Sequence, residues 1–292
     1  MEFLKGSGVA MITPFDSSGN IDFDALTRIV NHIISGGIDY IVVMGTTAET
    51  ATLTKEERAQ IVSKIIEVNG NRVPLVLGLG SNNTAELIST IKQTDLSSFK
   101  ALLSVCPYYT RPSQEGLYQH FKLVSEASEI PVLLYNVPSR AGVSISNETT
   151  VRLANDCSNI VGTKDATGDL DSVISLIDQV PNGFHVISGD DALALPIVLA
   201  GGSGVISVIG GALSTKVAQM IRLGLENKED QALVYHNQIL DMIDLIFREG
   251  NPTGIKKLSQ IIGLCEPNVR LPLVSATEEL ASEIKDNLAG LN

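Results

Sequence analysis

A short β-branched run, Asn159-Ile160-Val161-Gly162-Thr163, leads into a single lysine, Lys164, and Asp165-Ala166-Thr167-Gly168 follows. The pattern predicts a buried strand whose last residue is Lys164. Lysine is almost never fully buried without a partner. One outcome is an aliphatic stem that snorkels to the surface. The other is an amine desolvated until it is partly neutral, and therefore nucleophilic towards a carbonyl. Lys164 alone leaves both open.

Polar residues follow the other apolar runs as well. They are Gly45-Thr46-Thr47-Ala48-Glu49-Thr50, Gly80-Ser81-Asn82-Asn83, Pro107-Tyr108-Tyr109-Thr110-Arg111-Pro112, Tyr135-Asn136-Val137-Pro138-Ser139-Arg140 and Gly189-Asp190-Asp191. Each has an ordinary structural use. Thr46 and Thr47 could cap a helix, Tyr135 could be a core tyrosine, and Arg140 could pair with a surface acid. Gathered on one surface, they would offer hydroxyls for proton transfer, an amine for imine formation and a guanidinium for a carboxylate. That set suits carbonyl condensation: the cationic imine is an electron sink that yields an enamine without a metal.

Eight apolar, β-rich runs present these residues: 8–13, 40–44, 75–79, 101–105, 132–135, 160–163, 185–188 and 204–208. Amphipathic helices are expected between them. Leu26, Ile29, Val30, Ile33 and Ile34 share a helical face, and Thr54 with Glu57 makes a capping box ahead of Ile61, Ile65 and Val68. Apolar strands alternating with such helices imply a parallel sheet covered on both sides. Eight units without a Gly-x-Gly-x-x-Gly fingerprint after the first strand favour a closed (β/α)8 TIM barrel, with its site at the carboxyl ends of the strands. Residues 1–225 are assigned to the barrel carrying the site, and 226–292 to a C-terminal helical extension packed on it. In that extension 230–247 and 253–264 read as helices, and Ser275 with Glu278 is expected to cap a last one carrying Leu280, Ile284 and Leu288.

Composition excludes several classes. A net charge of −12 argues against a nucleic-acid surface and means that an anionic substrate needs local cations. Apolar runs reach only strand length, so no membrane span is expected. Met1-Glu2-Phe3-Leu4-Lys5-Gly6 lacks the pattern of an export signal, and Cys106, Cys157 and Cys265 are few and widely spaced. Both point to a cytoplasmic, reducing setting. The four histidines lack metal-ligand spacing. Asp165, Asp169 and Asp171 are read as helix N-terminal charge rather than a cation site, and Gly201–Gly204 with Gly210-Gly211 only weakly suggest a phosphate site.

Taken together, Gly45-Thr46-Thr47-x-Glu49, Tyr108-Tyr109-x-Arg111-Pro112-Ser113-Gln114-Glu115-Gly116, Tyr135-Asn136-Val137-Pro138-x-Arg140 and Lys164-x-Ala166-x-Gly168 resemble the 4-hydroxy-tetrahydrodipicolinate synthase (dihydrodipicolinate synthase) family. The resemblance covers essentially the whole chain, including Ser188-Gly189-Asp190-Asp191 and Gly204-Val205-Ile206-Ser207-Val208. It implies a lyase that condenses pyruvate with aspartate 4-semialdehyde at the opening of lysine biosynthesis, without a cofactor and as a homotetramer. By the same resemblance Lys164 is the Schiff-base lysine and Tyr135 the proton donor and acceptor. Thr46 and Tyr109 complete the relay, Tyr109 reaching across a dimer interface. Thr47, Ile206 and Gly189 line the pyruvate pocket, and Arg140 receives the semialdehyde carboxylate.

The chain departs from the family pattern in places. Ala48 stands where glycine is commoner, and Asp165 where glutamate is. In lysine-inhibited members, an interface cleft uses positions matching Thr50, Ala51, Lys55, Arg58, Asn82, Glu86 and Tyr108. Two of these are histidines there but Lys55 and Arg58 here, and permanent cations repel a cationic ligand. Weak or absent lysine inhibition is therefore expected. The rivals are a sialic-acid lyase or sugar-acid aldolase of the same superfamily, a non-catalytic keto-acid sensor and a phosphate-binding isomerase. Thr46 and Arg140 count against the first, the intact lysine and hydroxyl set against the second, and the lack of strand-end catalytic Glu and His against the third.

Overall fold

A computed structural model describes residues 1–291. Eight parallel strands, β1 (Gly6–Ala10), β2 (Tyr40–Val43), β3 (Leu75–Gly78), β4 (Ala101–Val105), β5 (Val132–Asn136), β6 (Ile160–Asp165), β7 (His185–Ser188) and β8 (Gly204–Ser207), close in sequence order into a barrel. Alternation along each strand sends one set of side chains inward. Ala10, Val42, Val76, Leu103, Leu133, Tyr135, Ile187 and Ile206 fill the interior as one buried cluster. The outward set packs beneath the helices in a larger core that includes Val9, Ile41, Val43, Leu77, Leu102 and Leu134. Burial on both faces accounts for strands that read as continuous apolar runs.

The helices between strands start where side chains satisfy their first N–H groups. Asp22 accepts from Ala25 N, and Thr54 and Glu57 form the expected reciprocal capping box at the head of helix Lys55–Asn69. Each such cap contributes about 1 kcal/mol. Leu26, Ile29, Val30 and Ile33 are buried as their spacing predicted. After the barrel helix Ser214–Leu225, three helices follow: Glu229–Arg248, Thr253–Ile261 and Glu278–Gly290.

Several boundaries differ from expectation, each for a physical reason. β1 begins two residues early because Gly6 pairs with Gly204, where a Cβ on Gly204 would lie 1.9 Å from the Gly6 carbonyl oxygen. Thr13 is not in the strand; its hydroxyl donates to the Ala48 carbonyl. β6 runs past Lys164 to Asp165, which pairs with Asn136 on one side and Ser188 on the other. The last helix is capped by Thr277 and not by Ser275. The Thr277 hydroxyl accepts from Leu280 N, and its own N–H donates to Glu249. Asp169 caps helix Leu170–Gln179 and Asp171 sits in its first turn, as expected, but Asp165 is a buried strand residue and no part of that helix start.

Candidate active site

The register of β5 and β6 sets Tyr135 beside Lys164, and Asn136 beside Asp165. Alternation then divides the two pairs. Tyr135 and Lys164 both point into the barrel, where they are 7% and 5% exposed, and the lysine Nζ lies 4.5 Å from the centre of the tyrosine ring. Asn136 and Asp165 point outward and bond each other, the amide donating at 3.3 Å. Asp165 also accepts from the Thr167 N–H and hydroxyl, while Asn136 accepts from Ile145 N and donates to its carbonyl. Burial pushes the Asp165 carboxyl up from its usual value, against the hydrogen bonds that favour its charge. The outward pair thereby fixes the height at which the inward pair stands. Just after the neighbouring strand β7, Gly189 leaves room for the amine: a Cβ there would lie 2.9 Å from Lys164 Cε.

Thr46 and Thr47 lie in a 3-10 turn, Thr46–Ala48, directly after β2. They cap no following helix; Thr54 does that. The residues bracketing the turn, Met44 at φ 59° and Glu49 at φ 54°, adopt the left-handed conformation that side chains disfavour. The buried Thr47 hydroxyl accepts from Asn251 Nδ2 at 3.0 Å. The carbonyl of the same Asn251 accepts from Arg140 Nη2 at 3.2 Å. Asn251 thus links the two residues assigned to the substrate carboxylates, and sequence reasoning missed it. So were Lys256, whose Nζ meets Glu49 Oε1 at 2.5 Å, and Arg270, whose backbone N–H donates to Glu49 Oε2 at 3.0 Å. The available signal was Lys256 itself, a cation on the apolar face of an amphipathic helix beside Ile255 and Ser259, which requires a buried anion.

At β7 and β8, Ile206 is fully buried among the inward residues. Asp191, also buried, accepts from Val208 N at 2.9 Å and Ile209 N at 3.0 Å, while Ser207 Oγ accepts from Gly210 N. Those N–H groups are committed to protein acceptors, which removes the basis of the phosphate reading. No group of three or more His, Cys, Asp or Glu placed to hold a metal occurs among the described residues.

Two sets of residues, expected to act at an interface between copies of the chain, lie on its surface. Tyr109 stands on the loop after β4 in a left-handed conformation, φ 73°, and is 88% exposed. Its neighbour Tyr108 is 41% exposed. The positions expected to form a lysine cleft are spread over adjacent surface elements. Glu86 accepts from Ser81 Oγ at 2.9 Å, Arg58 donates to the Thr50 carbonyl at 2.6 Å, and Asn82 is half-buried.

A buried lysine beside a buried tyrosine, at the carboxyl mouth of a closed eight-stranded barrel, is the arrangement that an imine-forming, aldolase-type barrel needs. A model of the dihydrodipicolinate synthetase family matches residues 3–290, and the chain belongs to that family. It is 50% identical over 284 residues to the 4-hydroxy-tetrahydrodipicolinate synthase of Flavobacterium psychrophilum, covering 97% of each chain. Dihydrodipicolinate synthase from Aquifex aeolicus superposes with a TM-score of 0.93 at 36% identity, covering 98% of this chain and 97% of that one. The chloride-inhibited enzyme from Acinetobacter baumannii, complexed with pyruvate, superposes with a TM-score of 0.95 at 39% identity over 99% of both chains.

Proposed function

We propose that this chain condenses pyruvate with aspartate 4-semialdehyde to give 4-hydroxy-tetrahydrodipicolinate. The carrying observation is the buried pair of Lys164 and Tyr135, with Nζ 4.5 Å from the ring centre. Lys164 attacks the pyruvate C2 carbonyl, and the adduct loses water to form an imine. Removal of a C3 proton gives an enamine, which adds to the aldehyde carbon as the aldehyde oxygen takes a proton. The semialdehyde amino group then closes on C2 and displaces Lys164 as the free amine. In this reading Tyr135 passes protons at the imine, with Thr46 as its relay partner. Thr47, Gly189 and Ile206 form the pyruvate pocket, and Arg140 holds the second carboxylate.

Tyr109 completes the relay from a second copy of the chain, a role that its 88% exposure supports. The working form is a homotetramer, a dimer of dimers, in the cytoplasm. Residues 1–225 are the barrel unit and 226–292 the extension packed on it. Among the described residues no helix is long and apolar enough to cross a membrane. The test is a coupled assay with pyruvate and aspartate semialdehyde, run beside pyruvate with N-acetylmannosamine. Turnover with the semialdehyde alone supports the reading; turnover only with the sugar overturns it.

A further inference from the structure

Besides its own backbone bonds, Ala48 N to the Gly45 carbonyl and Glu49 N to the Thr46 carbonyl, the turn that carries Thr46 and Thr47 is held by groups distant in sequence. Thr13 Oγ1 donates to the Ala48 carbonyl at 2.8 Å. Asn251 donates to the Thr47 hydroxyl. The Glu49 side chain is 1% exposed and that of Lys256 0%, and the two meet at 2.5 Å. Lys256 Nζ also donates to the Asn268 carbonyl at 2.7 Å and lies 4.1 Å from the centre of the Phe15 ring. The second Glu49 oxygen accepts from Arg270 N. Asn251, Lys256 and Arg270 all come from the C-terminal extension.

Two features show that this arrangement has a use beyond burial. Glu49 adopts φ 54°, where glycine would be cheaper, so its carboxylate is retained at a conformational cost. A dry ion pair is also a poor route to stability, since apolar residues of similar volume serve as well or better. Strain next to substrate-binding residues, held in place by a fully buried pair, marks a geometry that the fold has to enforce.

We propose that Lys256 and Glu49 are positioning residues for the pyruvate pocket: their buried ion pair lets the C-terminal extension set the strained end of the Thr46–Ala48 turn, and with it the height of the Thr47 hydroxyl at the pyruvate carboxylate. The proposal rests on the functional reading above. The pair touches no substrate. It acts through Thr47, so its loss weakens pyruvate capture more than the later condensation.

The test compares Glu49→Gln, Lys256→Met and the double variant in the full-length chain. Each is measured for pyruvate KM, semialdehyde KM, kcat, borohydride-trapped pyruvyl adduct at subsaturating pyruvate, and unfolding temperature. The double variant leaves no unpaired buried charge, so it folds even where Lys256→Met alone does not. The expected result is a double variant with an unfolding temperature near that of the wild type, a pyruvate KM raised tenfold or more, and a semialdehyde KM changed less than threefold. A double variant that recovers stability and pyruvate KM together, within twofold of wild type, makes the pair purely structural and overturns the proposal. Equal increases in both KM values overturn it too. A wild-type chain that traps no pyruvate overturns the functional reading itself, and the two failures are thereby distinguished.

Discussion

A guanidinium carries five N–H donors, and among the described residues Arg140 spends one on the Asn251 carbonyl. The others are available to a bidentate carboxylate, so Arg140→Ala should act on the second substrate. The expected outcome is a semialdehyde KM raised roughly tenfold or more, with pyruvate trapping on Lys164 within twofold of wild type. Equal loss of both functions would remove the assigned role. At this scale the sequence was informative where chemistry and strand position coincide. Lys164, Tyr135 and Thr47 are buried at or near strand ends, as a strand-end reading places them, and Ile206, named only by the family resemblance, is buried within β8. Asn251 was not visible because its partner Thr47 lies 204 residues away, and nothing local to Asn251-Pro252 announces a contact across the barrel mouth.

The elements carry a pH dependence of their own. His120, in helix Gln114–Ala127, is 3% exposed and bonds the Thr84 hydroxyl through Nδ1. Burial pulls its pKa down from 6.5 to about 4. The folded chain therefore binds fewer protons than the unfolded one between those values, and stability present above pH 6.5 is lost as the pH falls towards 4. The loss amounts to about 3 kcal/mol. Burial lowers His185 and His236 in the same direction. Glu57, which Arg270 holds at about 2, adds a separate loss that begins only below its ordinary value of 4.5. Unfolding midpoints measured from pH 7 to pH 4 should fall for the wild type and fall less steeply for His120→Gln. Parallel slopes would show that His120 does not carry the effect.

Element order and type were legible because eight two-faced apolar runs and the helix caps between them are local signals. The errors sit where a distant partner decides. The first strand was read as 8–13, but Gly6 pairs with Gly204, which must be glycine to approach the Gly6 carbonyl so closely. Ser275 fitted a capping-box spacing with Glu278, yet Glu249 anchors Thr277 and moves the cap two residues on.

For the whole molecule, the extension does more than cover the barrel. Through Asn251, Lys256 and Arg270 it reaches the Thr46–Ala48 turn, proposed above to hold pyruvate, a contact that its sequence, read as three amphipathic helices, did not reveal. Assembly and regulation are expected at the surface that displays Tyr108 and Tyr109. Lys55 and Arg58 are exposed cations in the helix that follows the Thr46 turn, and they oppose binding of a cationic amino acid. Lysine at 1 mM should therefore inhibit little, and half-inhibition at submillimolar lysine would contradict this.

Borohydride reduction in the presence of pyruvate, followed by peptide mapping, tests most directly whether Lys164 is the nucleophile. The expected result is one reduced pyruvyl adduct per chain on the peptide carrying Lys164, absent from folded Lys164→Ala. A folded wild-type chain that forms no adduct, or forms it on another lysine, would contradict the account.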